Sequence, residues 1–272
     1  MVNTKDIFML CNSCQDEKEL ANFDRNKWKA NTKFDGHRVM AIKKDEDIIL
    51  FNRNGNIVTR KFKEVAEGMK GLKNCMIDGE IISIDGDFNR LQKRALTKDL
   101  GKLAILEKEI PVKLMVFDIL VLENKVIRNE PLRQRLIYLR ELLKDNKNES
   151  IELVEYGEID EMLIKAIESK GEGIVIKDME ANYEAKRSKN WLKHKLFSET
   201  TITITGFTEN PAGIRATDDK GNICQIAGHN TIEVLAKMKE QGYCEIRVQY
   251  LEKTKENRLR FPSYKGVVKN EF

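Results

Sequence analysis

Lys33-Phe34-Asp35-Gly36-His37-Arg38 gathers a lysine, an acid, a glycine and an arginine into six residues just ahead of a stretch that reads as a strand. The glycine allows a ligand to approach the backbone closely. A lysine amine attacks only when unprotonated, and a free lysine has a pKa of about 10.4. Burial beside other cations or a metal depresses that value, which is how proteins make lysine nucleophilic. Arg38 is one such cation, and Trp191-Leu192-Lys193-His194-Lys195 supplies two more. Glu80 and Glu172, in Asp78-Gly79-Glu80 and Glu172-Gly173, are acids of the kind that bind sugar hydroxyls or a hard divalent cation. Phe117 and Val175, taken by themselves, read as plain core residues. The bland alternative for the hexapeptide is a strand start carrying ordinary surface charges.

The elements around these residues are short. Residues 36–42 and 47–51 read as two strands, followed by Asn52-Arg53-Asn54-Gly55-Asn56, whose Asn-Gly supports positive φ. Phe62, Val65, Ala66 and Met69 fall at i, i+3, i+4 and i+7, a short amphipathic helix. Strands are expected around 75–84 and 112–122. Pro131 opens a helix with Leu132, Leu136, Leu139 and Leu143 on one face. A helix over 159–168 is expected to bury Ile159, Met162, Leu163, Ala166 and Ile167, and Gly173–Ile176 reads as a strand. Beyond Lys195 the texture changes to alternating strands at 201–205, 223–227 and 243–250, with a short helix marked by Val234, Leu235 and Met238. That tail fits a small β-barrel of the OB type.

The 272 residues suit two domains of unequal size, and 41% hydrophobic against 34% charged residues allow a real core. No apolar run approaches the roughly 20 residues of a bilayer span, and Met1–Leu20 lacks the long apolar segment of a signal peptide. Five cysteines, at 11, 14, 75, 224 and 244, read as reduced intracellular thiols. Cys11-Asn-Ser-Cys14 is half of a zinc pattern without a second half. A net charge of +4 does not announce nucleic acid, but its distribution is uneven. Lys186, Arg187, Lys189, Lys193 and Lys195 stand against Glu184 alone in 183–195.

The hexapeptide resembles the K-x-D-G-x-R motif of the covalent nucleotidyltransferases, which comprise ATP-dependent DNA ligases, RNA ligases and mRNA capping enzymes. Four further segments resemble that family's motifs in order: Asp78-Gly79-Glu80, Val116-Phe117-Asp118-Ile119-Leu120, Glu172–Lys177 and Trp191–Lys195. The resemblance implies an α+β fold: a nucleotidyltransferase (adenylation) domain of antiparallel sheets and packed helices over 1–197, then an OB-fold β-barrel over 198–272. It implies that Lys33 attacks the α-phosphate of ATP to give a lysyl-adenylate, with Arg38, Lys193 and Lys195 on the phosphate. Thr32, Arg53, Glu80, Phe117 and Val175 would join Lys33 in holding the nucleotide, and Glu172 with Glu80 would hold Mg²⁺ or Mn²⁺. Lys177 is left between a place over the nucleotide and solvation of a strand end.

Within the superfamily, Lys186-Arg187-Ser188 before Trp191, Pro131-Leu132-Arg133-Gln134-Arg135, and Arg260-Phe261-Pro262-Ser263-Tyr264-Lys265-Gly266 resemble DNA ligases most closely. The resemblance implies nick sealing in duplex DNA, in replication, repair or recombination, by a monomeric enzyme in the cytoplasm, at the nucleoid or of intracellular viral or phage origin. With about 30 residues ahead of Lys33, a minimal two-domain form is expected. Asp35, Lys186, Arg187, Arg260 and Lys265 are its candidate nucleic-acid contacts. The alternatives are an RNA ligase and a non-catalytic nucleic-acid-binding relic of the fold. The chain departs from the pattern at its end, where Val268 stands for an expected arginine and Asn270-Glu271 for Asp-Lys. Lys265 or Lys269 would have to supply the missing charge toward pyrophosphate.

Overall fold

The computed structural model describes residues 7–254 and 256–268. The chain divides into two compact units, Met1–His194 and Lys195–Phe272. The first begins with β1 (Leu10–Ser13), α1 (Glu17–Ala21), β2 (Trp28–Thr32), β3 (His37–Lys44), β4 (Asp47–Asn52) and α2 (Lys63–Met69). It continues through β5 (Cys75–Ser83), α3 (Phe88–Leu96), α4 (Leu100–Glu109), β6 (Val112–Leu122) and β7 (Lys125–Val126). It ends with α5 (Leu132–Leu143), β8 (Ile151–Leu153), α6 (Ile159–Glu168), β9 (Gly173–Asp178) and β10 (Arg187–Lys195).

These strands form two sheets. One runs β4-β3-β5-β6-β7, with β8 added to β6, and the other runs β1-β10-β9-β2. Strand alternation gives the first sheet two different faces. Val39, Ala41, Ile77, Ile81, Leu114 and Val116 pack with Val65, Met69, Leu132, Leu136 and Leu139 from α2 and α5. Met40, Met115 and Phe117 look the other way and pack with Phe8, Met9, Tyr183 and Trp191. Each such side chain contributes about 1.5–3 kcal/mol on full burial. The second face is therefore covered by the other sheet, and polar side chains on it are enclosed between the two.

One buried ion pair ties α5 to β6. Arg135 and Asp118, both 0% exposed, are joined by two hydrogen bonds of 2.7 and 2.8 Å. Arg135 also donates to the carbonyls of Glu130 and Ala181, so its guanidinium is well satisfied. Removing one partner of such a pair costs about 3–5 kcal/mol.

The second unit contains β11 (Ser198–Asn210), β12 (Gly213–Asp218), β13 (Ile223–Ile226), α7 (Asn230–Gln241), β14 (Cys244–Tyr250) and β15 (Ser263–Val267). Its strands close in the order β11-β12-β13-β15-β14, around Ile202, Ile204, Ile214, Ala216, Ile226, Ile246 and Val248. Five strands with a helix between the third and fourth make the OB-fold expected from the alternation.

One expectation is corrected. In α6, Ile159, Met162 and Ala166 are buried, but Leu163 is only partly so and Ile167 is 56% exposed. The stretches 88–96 and 100–109 are also helices. No helix among the described residues is long and apolar enough to cross a membrane.

Candidate active site

The site is built where β2, β3, β5, β6, β9 and β10 bring their enclosed faces together. β2 and β9 are antiparallel, with Asn31 opposite Val175 and Lys29 opposite Lys177. Alternation puts Asn31, Val175 and Lys177 on one face, while Ala30 and Ile176 face α6. Past the end of β2 the pairing continues, the Lys33 amide donating to the Gly173 carbonyl at 2.9 Å. The Lys33 amine is thereby delivered to the Glu172 carboxylate, with which it forms an ion pair. Thr32 lies between, on the opposite face, and its carbonyl accepts from Asn31 Nδ2 at 2.8 Å. Asn31, two residues before the lysine, shares the face of Lys33.

Gly36 allows β3 to enter the sheet. A Cβ there would lie 2.2 Å from the Ile81 carbonyl oxygen and 2.9 Å from Glu80 Cγ, closer than any side chain tolerates. Two residues on, Arg38 pairs across the sheet with Glu80, so the two side chains share a face with Asp78. Arg38 grips Asp78 by two hydrogen bonds of 3.0 and 2.6 Å, and Tyr183 Oη donates to the same carboxylate at 2.6 Å. The Met9 amide donates to Tyr183 Oη. Burial disfavours the Arg38 cation, but Asp78 and Tyr183 outweigh it and keep the guanidinium charged. Its carbon lies 5.2–5.4 Å from the ring centres of Phe8, Phe117 and Trp191.

Burial pushes the Glu80 carboxyl up to about 8, with Arg38 and Lys33 opposing and Asp78 and Glu172 reinforcing the rise. Glu80 and Glu172 are hard oxygen donors of the kind a divalent cation takes, and its charge would oppose that rise. Along β10, Trp191 and Lys193 share a face, while His194 turns away and its Nδ1 meets the Cys14 carbonyl at 3.0 Å. Phe117 is 8% exposed, edge-on to Trp191 with ring centres 5.9 Å apart.

Arg53 is exposed in the Asn52–Asn56 turn, which Gly55 closes with φ of 79° and Asn52 Oδ1 braces by accepting from the amides of Asn54 and Asn56. That turn adjoins the row Asn52–Val39–Gly79–Val116 across the sheet, one residue from the Arg38–Glu80 pair. Asp35 is half-buried beside the nucleophile. Lys186 and Arg187 are exposed, the first paired with Glu184 at 3.2 Å and the second donating to the Cys11 carbonyl. Lys195 begins the second unit, with its amine 5.9 Å from the centre of the Phe261 ring. In that unit Arg260 is paired with Glu252 and Lys265 is exposed on β15; Lys269, Asn270 and Glu271 lie outside the described residues.

One residue escaped sequence reasoning. Asn31 is 2% exposed, and its Oδ1 has no hydrogen-bond partner among the described residues. Leaving such an acceptor unmet costs about 1–3 kcal/mol, which a ligand's N–H would relieve. Its signal was only its place two residues before Lys33. Lys177, left between two readings by the sequence, is 1% exposed and so does not solvate a strand end.

A two-sheet domain enclosing a lysine, two carboxylates and an arginine, linked to an OB-fold, defines the architecture of a nucleotidyltransferase followed by an OB domain. Residues 8–195 match the family described as the ATP dependent DNA ligase domain, and the chain belongs to that family. A DNA ligase of Aeropyrum pernix is 31% identical over 158 residues, covering 53% of this chain and 26% of its own length. The SPbeta prophage-derived DNA ligase-like protein LigB of Bacillus subtilis is 28% identical over 262 residues, 90% of this chain and 94% of the relative. The chain thus spans about a quarter of the archaeal relative but nearly all of the prophage one. A solved structure from a study of Lig E DNA ligases shares the fold with a TM-score of 0.70 at 19% identity, over 96% of this chain and 99% of that one. Mycobacterial DNA ligase D, solved with ATP and MES, gives 0.60 at 18% identity, over 98% and 96%.

Proposed function

We propose that the chain is an ATP-dependent DNA ligase that seals nicks in duplex DNA through a lysyl-AMP intermediate. The observation that carries this is the meeting of Lys33, Glu172, Glu80 and Arg38 on the enclosed faces of two sheets. Lys33 Nζ, once free of its proton, attacks the α-phosphorus of ATP; the bond to the β-phosphate oxygen breaks and pyrophosphate leaves. Arg38 and Lys193 balance charge on the α-phosphate oxygens. Glu80 takes the ribose with help from Arg53, Phe117 and Val175 grip the adenine, and Asn31 Oδ1 accepts from its exocyclic amine. Glu172 and Glu80 would hold Mg²⁺, which supplies Lewis-acid polarisation of the phosphates. AMP then passes to the 5′-phosphate of the nick, and the 3′-hydroxyl displaces it.

We assign the adenylation role to residues 1–197, with Lys195 joining Arg38 and Lys193 on the α-phosphate, and the OB role to 198–272, with Arg260 and Lys265 as its cations toward pyrophosphate or DNA. Asp35, Lys186 and Arg187 are assigned to DNA. The test is incubation with α-labelled ATP or GTP, then with nicked DNA or nicked RNA. The proposal expects label from ATP alone and joining of the DNA strand. Label transfer only to RNA would make the chain an RNA ligase, and no label would make it a binding relic.

A further inference from the structure

Lys177 takes no part in the steps above, yet it is among the most deeply buried charged groups of the first unit. On β9 it shares the face of Val175, two residues further along the strand. Its Nζ donates to Tyr156 Oη at 2.6 Å and lies 4.3 Å from the centre of the Phe117 ring and 4.0 Å from that of Trp191. Tyr156 Oη in turn donates to the main-chain carbonyl of Phe117 at 2.8 Å. Phe117 is therefore held twice by one pair of side chains, its ring by the amine and its backbone by the phenol.

We propose that Lys177 is a positioning residue for the adenine platform, fixing Phe117 by direct contact and through Tyr156 and thereby setting nucleotide affinity. This rests on the reading of Phe117 and Val175 as the pair that grips the base.

The groups facing the amine come from every neighbouring element: Asp118 on β6, Cys11 on β1, Asp78 on β5, Arg38 on β3, and Tyr156 between β8 and α6. Burial lowers the Lys177 amine to about 7; Asp118, Cys11 and Asp78 oppose that fall and Arg38 adds to it. Below that value the amine is a cation against two aromatic rings. Above it the hydrogen bond to Tyr156 survives, but the attraction to the rings is lost. The platform is held more firmly on the acid side of neutrality, so ATP affinity should weaken through a step near pH 7 that depends on Lys177.

The chain has two tryptophans, so a Trp28→Phe background leaves Trp191 alone to report on the amine beside it. Its fluorescence should titrate near pH 7 with Lys177 present and not in Lys177→Met. Equilibrium binding of ATP, measured from pH 6 to 9, should be on the order of tenfold weaker at pH 6.5 in Lys177→Met, the scale of a desolvated cation–π contact. Self-adenylation at saturating ATP should stay within about twofold, because positioning the base leaves the reacting atoms alone. Tyr156→Phe keeps the amine and removes only the hydroxyl, so it should weaken ATP binding in the same direction, and it carries the test if Lys177→Met does not fold. Equal ATP binding in parent and variants, with the pH step retained, overturns the inference alone. Failure of the parent to bind ATP overturns the nucleotide-site reading beneath it.

Discussion

Lys33 and Glu172 are ion-paired where β2 and β9 run side by side, with side chains 20% and 7% exposed. An ammonium held by a carboxylate has no lone pair for attack, so the pair describes the site before reaction. A divalent cation held by Glu172 would compete with the amine for that carboxylate, which would couple metal binding to release of the nucleophile. Glu172→Gln should therefore not simply liberate Lys33. It should slow protein–AMP formation by about 10²-fold or more through loss of charge stabilisation at the phosphates. Single-turnover labelling at several Mg²⁺ concentrations checks this, and a rate equal to the parent's would contradict it.

Glu80 gives a stability prediction with a definite sign. Its carboxyl is raised to about 8 in the folded chain from an ordinary value of 4.5, burial being the chief cause. Between those values the folded state keeps a proton that the unfolded state has lost, so stability falls as pH rises through this window. The full cost is present above about pH 8. Glu80→Gln should raise the Tm of the nucleotide-free protein at pH 8.5 by about 2–4 °C and change it little at pH 4.5. Thermal unfolding at the two pH values decides it.

Gly36→Ala should damage both fold and chemistry. The added Cβ meets the Ile81 carbonyl oxygen at 2.2 Å, a backbone atom fixed in β5. Overpacking of this kind costs about 1–3 kcal/mol, and relief requires β3 to move with Lys33 and Arg38 at either side of the glycine. Unfolding in urea should show the loss, and labelling by ATP should fall further than the unfolded fraction explains.

The exposed bases Lys186 and Arg187 are predicted to touch DNA phosphates. Binding to nicked duplex should weaken steeply with salt, and changing each to alanine should reduce the slope of log affinity against log salt by about one unit. An unchanged slope would mean that these bases only solvate β10.

The chemistry was more legible than the scaffold. Lys33, Arg38, Glu80 and Glu172 sit in short segments whose residue types are tied to a reaction, and β2, β3, β5 and β9 bring them together. Asn31 was hidden because an amide is ordinary on a surface, and Lys177 kept two readings because a lysine at a strand end is; only the pairing of β2 with β9 shows that both are enclosed. The helix α3 was hidden by its charges, for Arg94 is 0% exposed through its pair with Glu64, while apolar positions are few. In α4 the apolar residues lie all round the helix, leaving Leu100 65% and Ile105 58% exposed. A clean period therefore never forms. In β10 the buried residues Ser188, Trp191 and His194 lie among lysines and an arginine, a pattern that reads as a basic loop until its neighbours are known.

The most direct test of the whole account is the site of covalent labelling. The protein is incubated with α-labelled ATP and Mg²⁺, and the adduct is mapped by peptide mass spectrometry in the parent, Lys33→Ala and Lys33→Arg. The account predicts AMP on Lys33 through an acid-labile bond in the parent and no adduct in either variant, since a guanidinium stays protonated at useful pH. AMP on another residue of the parent, or label persisting in Lys33→Ala, would contradict it.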